Sequence, residues 1–181
     1  MIAARDAAAT VQNVSNEEID PKWIEEEAER IYRPLLNYKN RPSQGVLPYD
    51  MEVRLQKIMD EYAGGVSTYY EMNEERLMIA RKQLAKIPAQ FEYLVANDLH
   101  QLMKAHEIID RVDVARVLVE HLLYRKETRW PSYQTRMDYP KLDDENWLKF
   151  VNSRVDRKTG EIEMLTRPYE QLIPGDRYKP R

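Results

Sequence analysis

The side chains best suited to chemistry are concentrated between residues 125 and 140, where cationic and aromatic residues alternate. The residues of these two kinds are Arg125, Lys126, Arg129, Trp130, Tyr133, Arg136 and Tyr139. Guanidinium groups beside aromatic rings can hold an anion through paired hydrogen bonds or stack on a nucleic acid base. The arginines can also pair with Glu127 and Asp138 and stack on the rings, which would attach an irregular segment to the rest of the fold. We favour this second, structural interpretation.

Three histidines, His100, His106 and His121, are the next candidates, because imidazole titrates near neutral pH and binds metals. His106 and His121 fall on the apolar stripe of a predicted helix, where a hydrogen-bonded core histidine is the commoner arrangement. The spacing of the histidines matches neither His-x-x-x-His nor His-Glu-x-x-His. We therefore assign no metal site.

Two acidic runs, residues 25–27 and residues 143–145, could supply paired carboxylates for work on a glycoside or a cation. The first run alternates with the apolar positions of a predicted helix and is typical of a solvated face. The second run precedes Trp147 and is typical of a helix start, where carboxylates meet free backbone N–H groups. We assign no catalytic residue to either run.

The composition limits which cofactors this chain can hold. It has 181 residues and no cysteine, so it cannot form a disulfide or ligate an iron–sulfur cluster through thiolates. Its five glycines form no glycine-rich loop of the kind that brings backbone N–H groups to a nucleotide phosphate. We expect no cofactor-binding residue in the chain.

The charge balance and hydropathy limit the partners. The chain has 28 basic and 31 acidic residues and a formal charge of −3, which argues against nucleic acid as a partner. No run of apolar residues is long enough to span a membrane, and charged residues follow Met1 too soon for a secretory signal. We expect a cytoplasmic protein with no membrane insertion.

Helical signals dominate the first two thirds of the chain. Asp20 is a good N-cap with Pro21 at the first helical position, and Ile19 is placed to pack against Ile24. Pro34 indicates that this first helix ends or bends there. An apolar stripe is predicted along it at residues 24, 28, 31 and 35.

Three further helices are predicted from the spacing of apolar residues. One follows Asp50 and ends at the glycine pair 64–65, and the next follows Asn73 and extends to Leu94 with a kink at Pro88. The longest runs from about Asp98 to Arg125. Its predicted buried stripe is Leu99, Leu102, Met103, His106, Ile109, Val114, Val117, Leu118, His121 and Leu122.

Beyond Glu127, prolines and aromatic residues replace the helical pattern. Residues 148–155 and 161–166 predict a β-hairpin, with Gly160 supplying a positive φ at the turn. The predicted fold class is therefore mainly α: a bundle of three to four main helices, followed by an irregular segment and a β-hairpin. We divide the chain into N-terminal helices and a connector, residues 1–47, and a helical domain with the terminal hairpin, residues 48–181, which together form one compact domain.

Three blocks of sequence, in order along the chain, carry a family resemblance. The first is residues 54–70, RLQKIMDEYAGGVSTYY; the second, residues 127–147, contains ETRWP, DYP and DDENW; the third contains FVNSR, KTGE and RPY. These blocks resemble the alpha subunit of adenylylsulfate reductases, within the fumarate reductase and succinate dehydrogenase flavoprotein family. The chain departs from that pattern at residues 112–115, VDVA, and at Ser132, where the family usually has glycine.

The resemblance implies the C-terminal helical domain of such a subunit, cut off from the domain that holds flavin, so the chain alone is not expected to catalyse. Enzymes of this type reduce adenylylsulfate to sulfite and AMP, with FAD in another domain and iron–sulfur clusters in a beta subunit. The implied partners are the FAD-binding part of the alpha subunit and the iron–sulfur beta subunit. As anchors for these contacts we predict Arg129, Trp130, Tyr133, Arg136 and Trp147, since arginine and large aromatic residues are enriched at interface hot spots.

Two other interpretations remain open at this point. The chain could be a free-standing helical interaction or assembly module derived from the same family, which would be folded and monodisperse alone. It could also be an independent small enzyme, which would need a pocket with converging titratable groups. The sequence shows no set of titratable residues that would converge in such a pocket.

Overall fold

A computed structural model describes residues 7–9, 20–40, 44–156 and 159–169. The chain divides into two compact units, Met1–Arg33 and Pro34–Arg181. Helix α1 (Pro21–Asn40) begins in the first unit as predicted, because the side chain of Asp20 accepts a hydrogen bond from the N–H of Lys22 at 2.9 Å, and its residues from Pro34 onward belong to the second unit. The predicted contact between Ile19 and Ile24 lies outside the described residues.

Helix α1 does not end at Pro34 but continues to Asn40. Proline removes one helical hydrogen bond, yet contacts made further along hold the last turns of the helix. The side-chain amide of Asn37 donates to the carbonyl oxygens of Glu92, at 2.8 Å, and Leu94, at 2.9 Å. The carbonyl oxygen of Pro34 itself accepts the N–H of Ala96 at 2.9 Å. The predicted apolar stripe on α1 is not buried. Among the described side chains of this helix, the buried residue is Pro34.

Helix α2 (Pro48–Tyr62) was predicted to follow Asp50 but begins two residues before it, because Pro48 occupies its first turn. It ends ahead of the glycine pair, as predicted. Gly64 has φ +79°, a left-handed conformation that other residues rarely adopt. Gly65 approaches the helix so closely that a Cβ would lie 2.3 Å from the Cα of Asp60. Both glycines are therefore required by the turn.

A glycine-to-alanine pair tests this turn. We expect Gly65→Ala to lower the free energy of unfolding by about 2–3 kcal/mol, since its Cβ would clash with helix backbone that cannot move aside. The clash is with the Cα of Asp60, 2.3 Å from that Cβ. Gly160→Ala is the matched control, with φ +71° and no atom within 4 Å, and should cost only about 1 kcal/mol. Equal losses in urea denaturation of the two variants would contradict this account.

Helix α3 (Glu74–Leu84) is capped at its start by Asn73, whose side chain accepts the N–H of Arg76 at 2.9 Å. The prediction that this helix extends to Leu94 is wrong. The α-helix ends at Leu84, and a separate 3-10 helix spans Pro88–Tyr93. Pro88 has no N–H to continue the α-helical ladder, so the chain tightens there instead of kinking.

Helix α4 (Leu99–Tyr124) matches its predicted bounds and is capped by Asp98, which accepts the N–H of Gln101 at 2.8 Å. Its buried face differs from the predicted one. Leu102 is buried as predicted. The predicted residues Leu99, Met103, Val114 and Leu118 are exposed, and the helix packs through another face against α2 and α3. The buried residues of α4 are Leu102, Ala105, Ile108, Val112, Ala115 and Val119.

Two small sheets complete the fold. Strands β1 (Glu71–Met72) and β2 (Thr135–Arg136) pair in parallel, which the sequence did not predict. After the single-turn helix α5 (Asp144–Trp147), strands β3 (Lys149–Val155) and β4 (Ile162–Pro168) form the predicted antiparallel hairpin, which contacts α4. The mainly α fold with a terminal hairpin is thus confirmed. In the described part of the chain, no helix has the length and apolarity that crossing a bilayer would require.

Candidate functional site

Arg136 is the most buried cation of the segment that follows α4, with only 2% of its surface exposed. Its Nη1 donates to the carbonyl oxygens of Leu122 and Arg125, the latter at 3.1 Å, at the C-terminal end of α4. Its Nε and Nη2 form a two-point pair with the carboxylate of Asp138, at 2.9 and 2.8 Å. The guanidinium therefore satisfies helix-end carbonyl groups that carry a partial negative charge.

Asp138 connects Arg136 to a second helix. Its Oδ2 accepts the N–H of Glu74, the first residue of α3, at 2.9 Å. Burial acts to raise the pKa of Asp138, but the hydrogen bonds from Arg136 and from the Glu74 N–H outweigh it and hold the pKa below its ordinary value. A single ion pair thus joins the C-terminal end of α4 to the N-terminal end of α3, each with the charge that the helix end favours.

Glu127 is the centre of a second buried network. Its carboxylate accepts hydrogen bonds from Nη1 of Arg125 at 2.5 Å, Nε of Arg129 at 2.8 Å and the N–H of Asp143 at 3.0 Å. Nη2 of Arg129 lies between Glu127, at 3.0 Å, and Asp144, at 2.9 Å. The predicted pairing of arginines with Glu127 and Asp138 is confirmed. The sequence did not show that Glu127 would be the buried centre.

Trp147 lies at the edge of the Glu127 network. Its ring meets Tyr124 edge-on, with centroids 5.6 Å apart, and the guanidinium of Arg125 lies 5.6 Å from its centroid. The ammonium of Lys149 lies 4.6 Å from the same ring. These contacts attach the start of the hairpin to the end of α4.

An exposed aromatic patch, consisting of Tyr69, Tyr70, Trp130 and Tyr133, is formed by two loops that the β1–β2 pairing brings together. Trp130 and Tyr133 are 69% and 72% exposed, and the rings of Tyr70 and Tyr133 lie 6.5 Å apart. The N–H of Thr135 donates to the carbonyl oxygen of Tyr70 at 3.0 Å. Aromatic residues grouped in this way on a surface are typical of a protein interface.

The backbone of the aromatic patch is held in an unusual conformation. Tyr69, Tyr70 and Ser132 have φ values of 54°, 61° and 72°, and they are the non-glycine residues of the described chain with positive φ. Each such residue costs on the order of 1 kcal/mol, which the surrounding structure must offset. The N–H of Tyr70 donates to Gly65 and that of Ser132 to the hydroxyl of Thr135, at 3.0 and 3.2 Å. Strain of this kind is concentrated at functional surfaces.

A groove of about 310 Å³ lies beside the patch and is lined by both apolar and polar side chains. Met72, Leu122 and Val151 are among its apolar lining residues, and His121 is among its polar ones. Nε2 of His121 lies 3.0 Å from the hydroxyl of Ser153, which connects α4 to β3. Burial, together with the positive charge of Arg125, lowers the pKa of His121 below its ordinary value.

The lowered pKa of His121 predicts a pH dependence of stability. The unfolded chain binds a proton at His121 more readily than the folded chain. Neutral His121 therefore costs the folded state nothing above about pH 6.5, and protonation of the unfolded chain lowers the free energy of unfolding as pH falls below that value. We expect the free energy of unfolding to fall from pH 7.5 to about pH 5. His121→Gln should remove part of this slope in urea titrations at several pH values; an unchanged slope would show that His121 does not cause it.

The other candidates do not assemble into a site. Among the described residues, no group of three histidine, aspartate or glutamate side chains could hold a metal ion. Asp143 caps α5, accepting the N–H of Asn146 at 3.0 Å, as predicted for the second acidic run. His100 is exposed and His106 half-buried on α4, apart from His121.

The predicted anchor residues fall into two groups. Arg129, Arg136 and Trp147 are tied to groups of this chain, whereas Trp130 and Tyr133 project from its surface. The contacts of the first group attach the segment from which the second projects to the rest of the chain. Their role in contacting other proteins stays a prediction.

Known proteins match both the sequence and the fold. A family model described as the C-terminal region of fumarate reductase flavoproteins matches residues 52–179. The alpha subunit of adenylylsulfate reductase from Megalodesulfovibrio gigas is 31% identical over 175 residues, which cover 90% of this chain and 26% of that protein.

Solved structures agree. The adenylylsulfate reductase structure from the hyperthermophile Archaeoglobus fulgidus is similar at a TM-score of 0.82 and 42% identity, covering 87% of this chain and 26% of that one. A quinol fumarate reductase structure from E. coli, at 18% identity and a TM-score of 0.64, covers 88% of this chain and 27% of that one and shares the fold.

The chain spans about a quarter of the length of these relatives. The match lies in their C-terminal flavoprotein region, in agreement with the resemblance seen in the sequence. Because the family model covers most of the chain, this protein belongs to the family of fumarate reductase flavoprotein C-terminal domains.

Proposed function

We propose that this chain acts as the C-terminal structural and subunit-contact domain of a flavoprotein oxidoreductase of the adenylylsulfate reductase type. The identity of 42% to the Archaeoglobus fulgidus structure and the family match over residues 52–179 support this choice within the wider family. The parent reaction would be the conversion of adenylylsulfate to sulfite and AMP.

In this proposal the redox groups belong to other parts of the enzyme. FAD and the substrate site would lie in the flavin-binding part of the alpha subunit, and the iron–sulfur clusters in a beta subunit. The absence of cysteine from the chain supports the second assignment, because clusters need thiolate ligands. The chain would contribute packing and contact surfaces instead of reacting groups.

The observation that carries the proposal is the aromatic patch beside the buried Glu127 network. Trp130 and Tyr133 are exposed, yet the segment that bears them is fixed by Arg129 and Arg136. A rigid segment loses little conformational entropy on binding, so large aromatic side chains on it bind efficiently. This combination is suited to contact with another protein surface.

Alanine variants of the patch test the proposal. We expect Trp130→Ala and Tyr133→Ala each to reduce the flavin and the iron–sulfur protein recovered per tagged chain by at least about tenfold. The melting temperature should hardly change, because both side chains are exposed. Tyr49→Ala, which removes an exposed tyrosine from α2, is the matched control. Unchanged recovery with both patch variants would refute the contact role of the patch.

A further inference from the structure

Helix α4 carries apolar residues on two opposite faces. At 100° per residue, Leu99, Met103 and Val114 fall within an arc of about 60°, and the core residues, such as Val112, lie on the opposite side. We call the side of Leu99, Met103, Asp110 and Val114 the outer face of α4. A helix that is apolar all round is usually buried all round.

Among the described residues, the outer face is left largely uncovered. Leu99, Met103 and Val114 are 70%, 50% and 67% exposed, whereas Val112 on the opposite side is fully buried. These side chains lie within the first 16 of the 26 residues of the helix, ahead of the part that contacts the hairpin at His121. Exposed apolar side chains aligned along a helix are typical of a surface that another element covers.

The outer face also contains one carboxylate that indicates the charge of its partner. Asp110 lies between Met103 and Val114 on the same side of the helix and is exposed. Within the described residues, its side chain has neither an ion pair nor a hydrogen bond. The neighbouring cation Arg111 is already paired with Glu52 and Glu107. Covering Asp110 would be costly unless the partner supplied a positive charge.

A second copy of this chain does not meet that requirement. In a twofold contact centred on this face, Asp110 of one copy would lie near Asp110 of the other, and the two like charges would repel. The related proteins offer a different occupant, since this chain spans only 26% of their length. The aliphatic side chains of the outer face are also typical of permanent contacts, which resemble a protein core.

We infer that the outer face of α4 docks the flavin-binding part of the flavoprotein, which presents an apolar strip with a lysine or arginine opposite Asp110. This inference rests on the proposed function and adds the surface and the chemistry of the contact. The docking surface is distinct from the aromatic patch, which lies on the loops around Tyr70 and Trp130.

Photo-cross-linking in the native cells tests the inference directly. The full chain would carry p-benzoylphenylalanine in place of Met103 or Val114, with Val53 on the exposed side of α2 as the control position. We expect irradiation to link positions 103 and 114, but not 53, to peptides of a flavin-binding sequence. This result is expected whether that sequence belongs to the same polypeptide or to another.

The outcomes separate the inference from the proposed function. If flavin copurifies with the chain but positions 103 and 114 link to a second copy, to an iron–sulfur protein or to nothing, the inference is wrong and the proposed function stands. If no flavin-binding sequence accompanies the unaltered chain, the proposed function fails and the inference fails with it.

A charge variant provides a second readout. Val114→Asp should reduce the flavin recovered per chain by at least about tenfold, since it places a second carboxylate beside Asp110 on a face that must be dehydrated. Val53→Asp is the matched control, a helix-surface valine outside the outer face. Equal flavin recovery with both variants would overturn the inference.

Discussion

Arg136→Ala is expected to lower the free energy of unfolding by about 3–5 kcal/mol, the cost of breaking a buried ion pair by removing one partner. The variant leaves Asp138 without its cation and the carbonyl oxygens of Leu122 and Arg125 without a donor. The ends of α4 and α3 lose their common link at the same time. Urea denaturation followed by circular dichroism measures the change.

Two controls separate the geometry of Arg136 from its charge. Arg136→Lys keeps the charge but cannot bind Asp138 at two points and α4 together, so it should recover less than half of the loss. Arg154→Ala removes an arginine from an exposed pair with Glu163, and should cost less than about 1 kcal/mol. If Arg136→Ala were no more harmful than Arg154→Ala, the bridging role of Arg136 would be wrong.

Glu127→Ala should be nearly as damaging, with a loss of about 3 kcal/mol. The change leaves Arg125 and Arg129 facing each other without the carboxylate between them, and it leaves the N–H of Asp143 unpaired. Because Arg129 then loses one of its two carboxylate partners, Trp130 should become more mobile as well. Tryptophan fluorescence anisotropy and urea denaturation measure the two effects.

Glu127→Gln is the informative comparison for Glu127, because an amide oxygen can still accept hydrogen bonds but carries no charge. It should be intermediate in stability between the wild type and Glu127→Ala. Glu92→Ala removes an exposed glutamate and should have little effect. A Glu127→Ala variant as stable as Glu92→Ala would show that the buried network does not stabilise the segment.

The helix starts could be predicted because local chemistry determines them. Asp98 and Asn73 each cap the helix that follows, and the glycine pair after α2 ends it at the predicted place. The buried face of α4 could not be predicted in the same way. A helix with apolar residues on two sides gives no periodic signal that selects one of them, and the packing of Ala105 and Ala115 against α2 and α3 decided it.

Elements that depend on distant parts of the chain were missed or misjudged. The β1–β2 pair is two residues long on each side and joins positions 71–72 to 135–136, too short for a strand signal. The extension of α1 beyond Pro34 depends on Asn37 reaching the chain near Leu94. Neither contact has a counterpart in the local sequence.

In the candidate site, too, contacts between residues close in the sequence were predictable and contacts between distant residues were not. The pairing of the arginines with Glu127 and Asp138 was predictable, because the partners lie within a few residues of one another. The hydrogen bonds from Arg136 to the carbonyl oxygen of Leu122 and from the N–H of Glu74 to Asp138 were not predictable, because these partners are far apart in the sequence. Trp130 and Tyr133 were selected by residue type alone, and the structure adds that they are exposed near Tyr70, on a segment held by the ion pairs of Arg129 and Arg136.

Purification of the tagged chain from its native cells tests the central claim most directly, with the visible absorbance and the mass spectrum of the accompanying proteins recorded together. We predict yellow-brown material that contains a flavin-binding sequence, in the same polypeptide or in a second one, and an iron–sulfur protein. A colourless, monodisperse monomer without partners would contradict the account and would instead favour a free-standing module of the same fold.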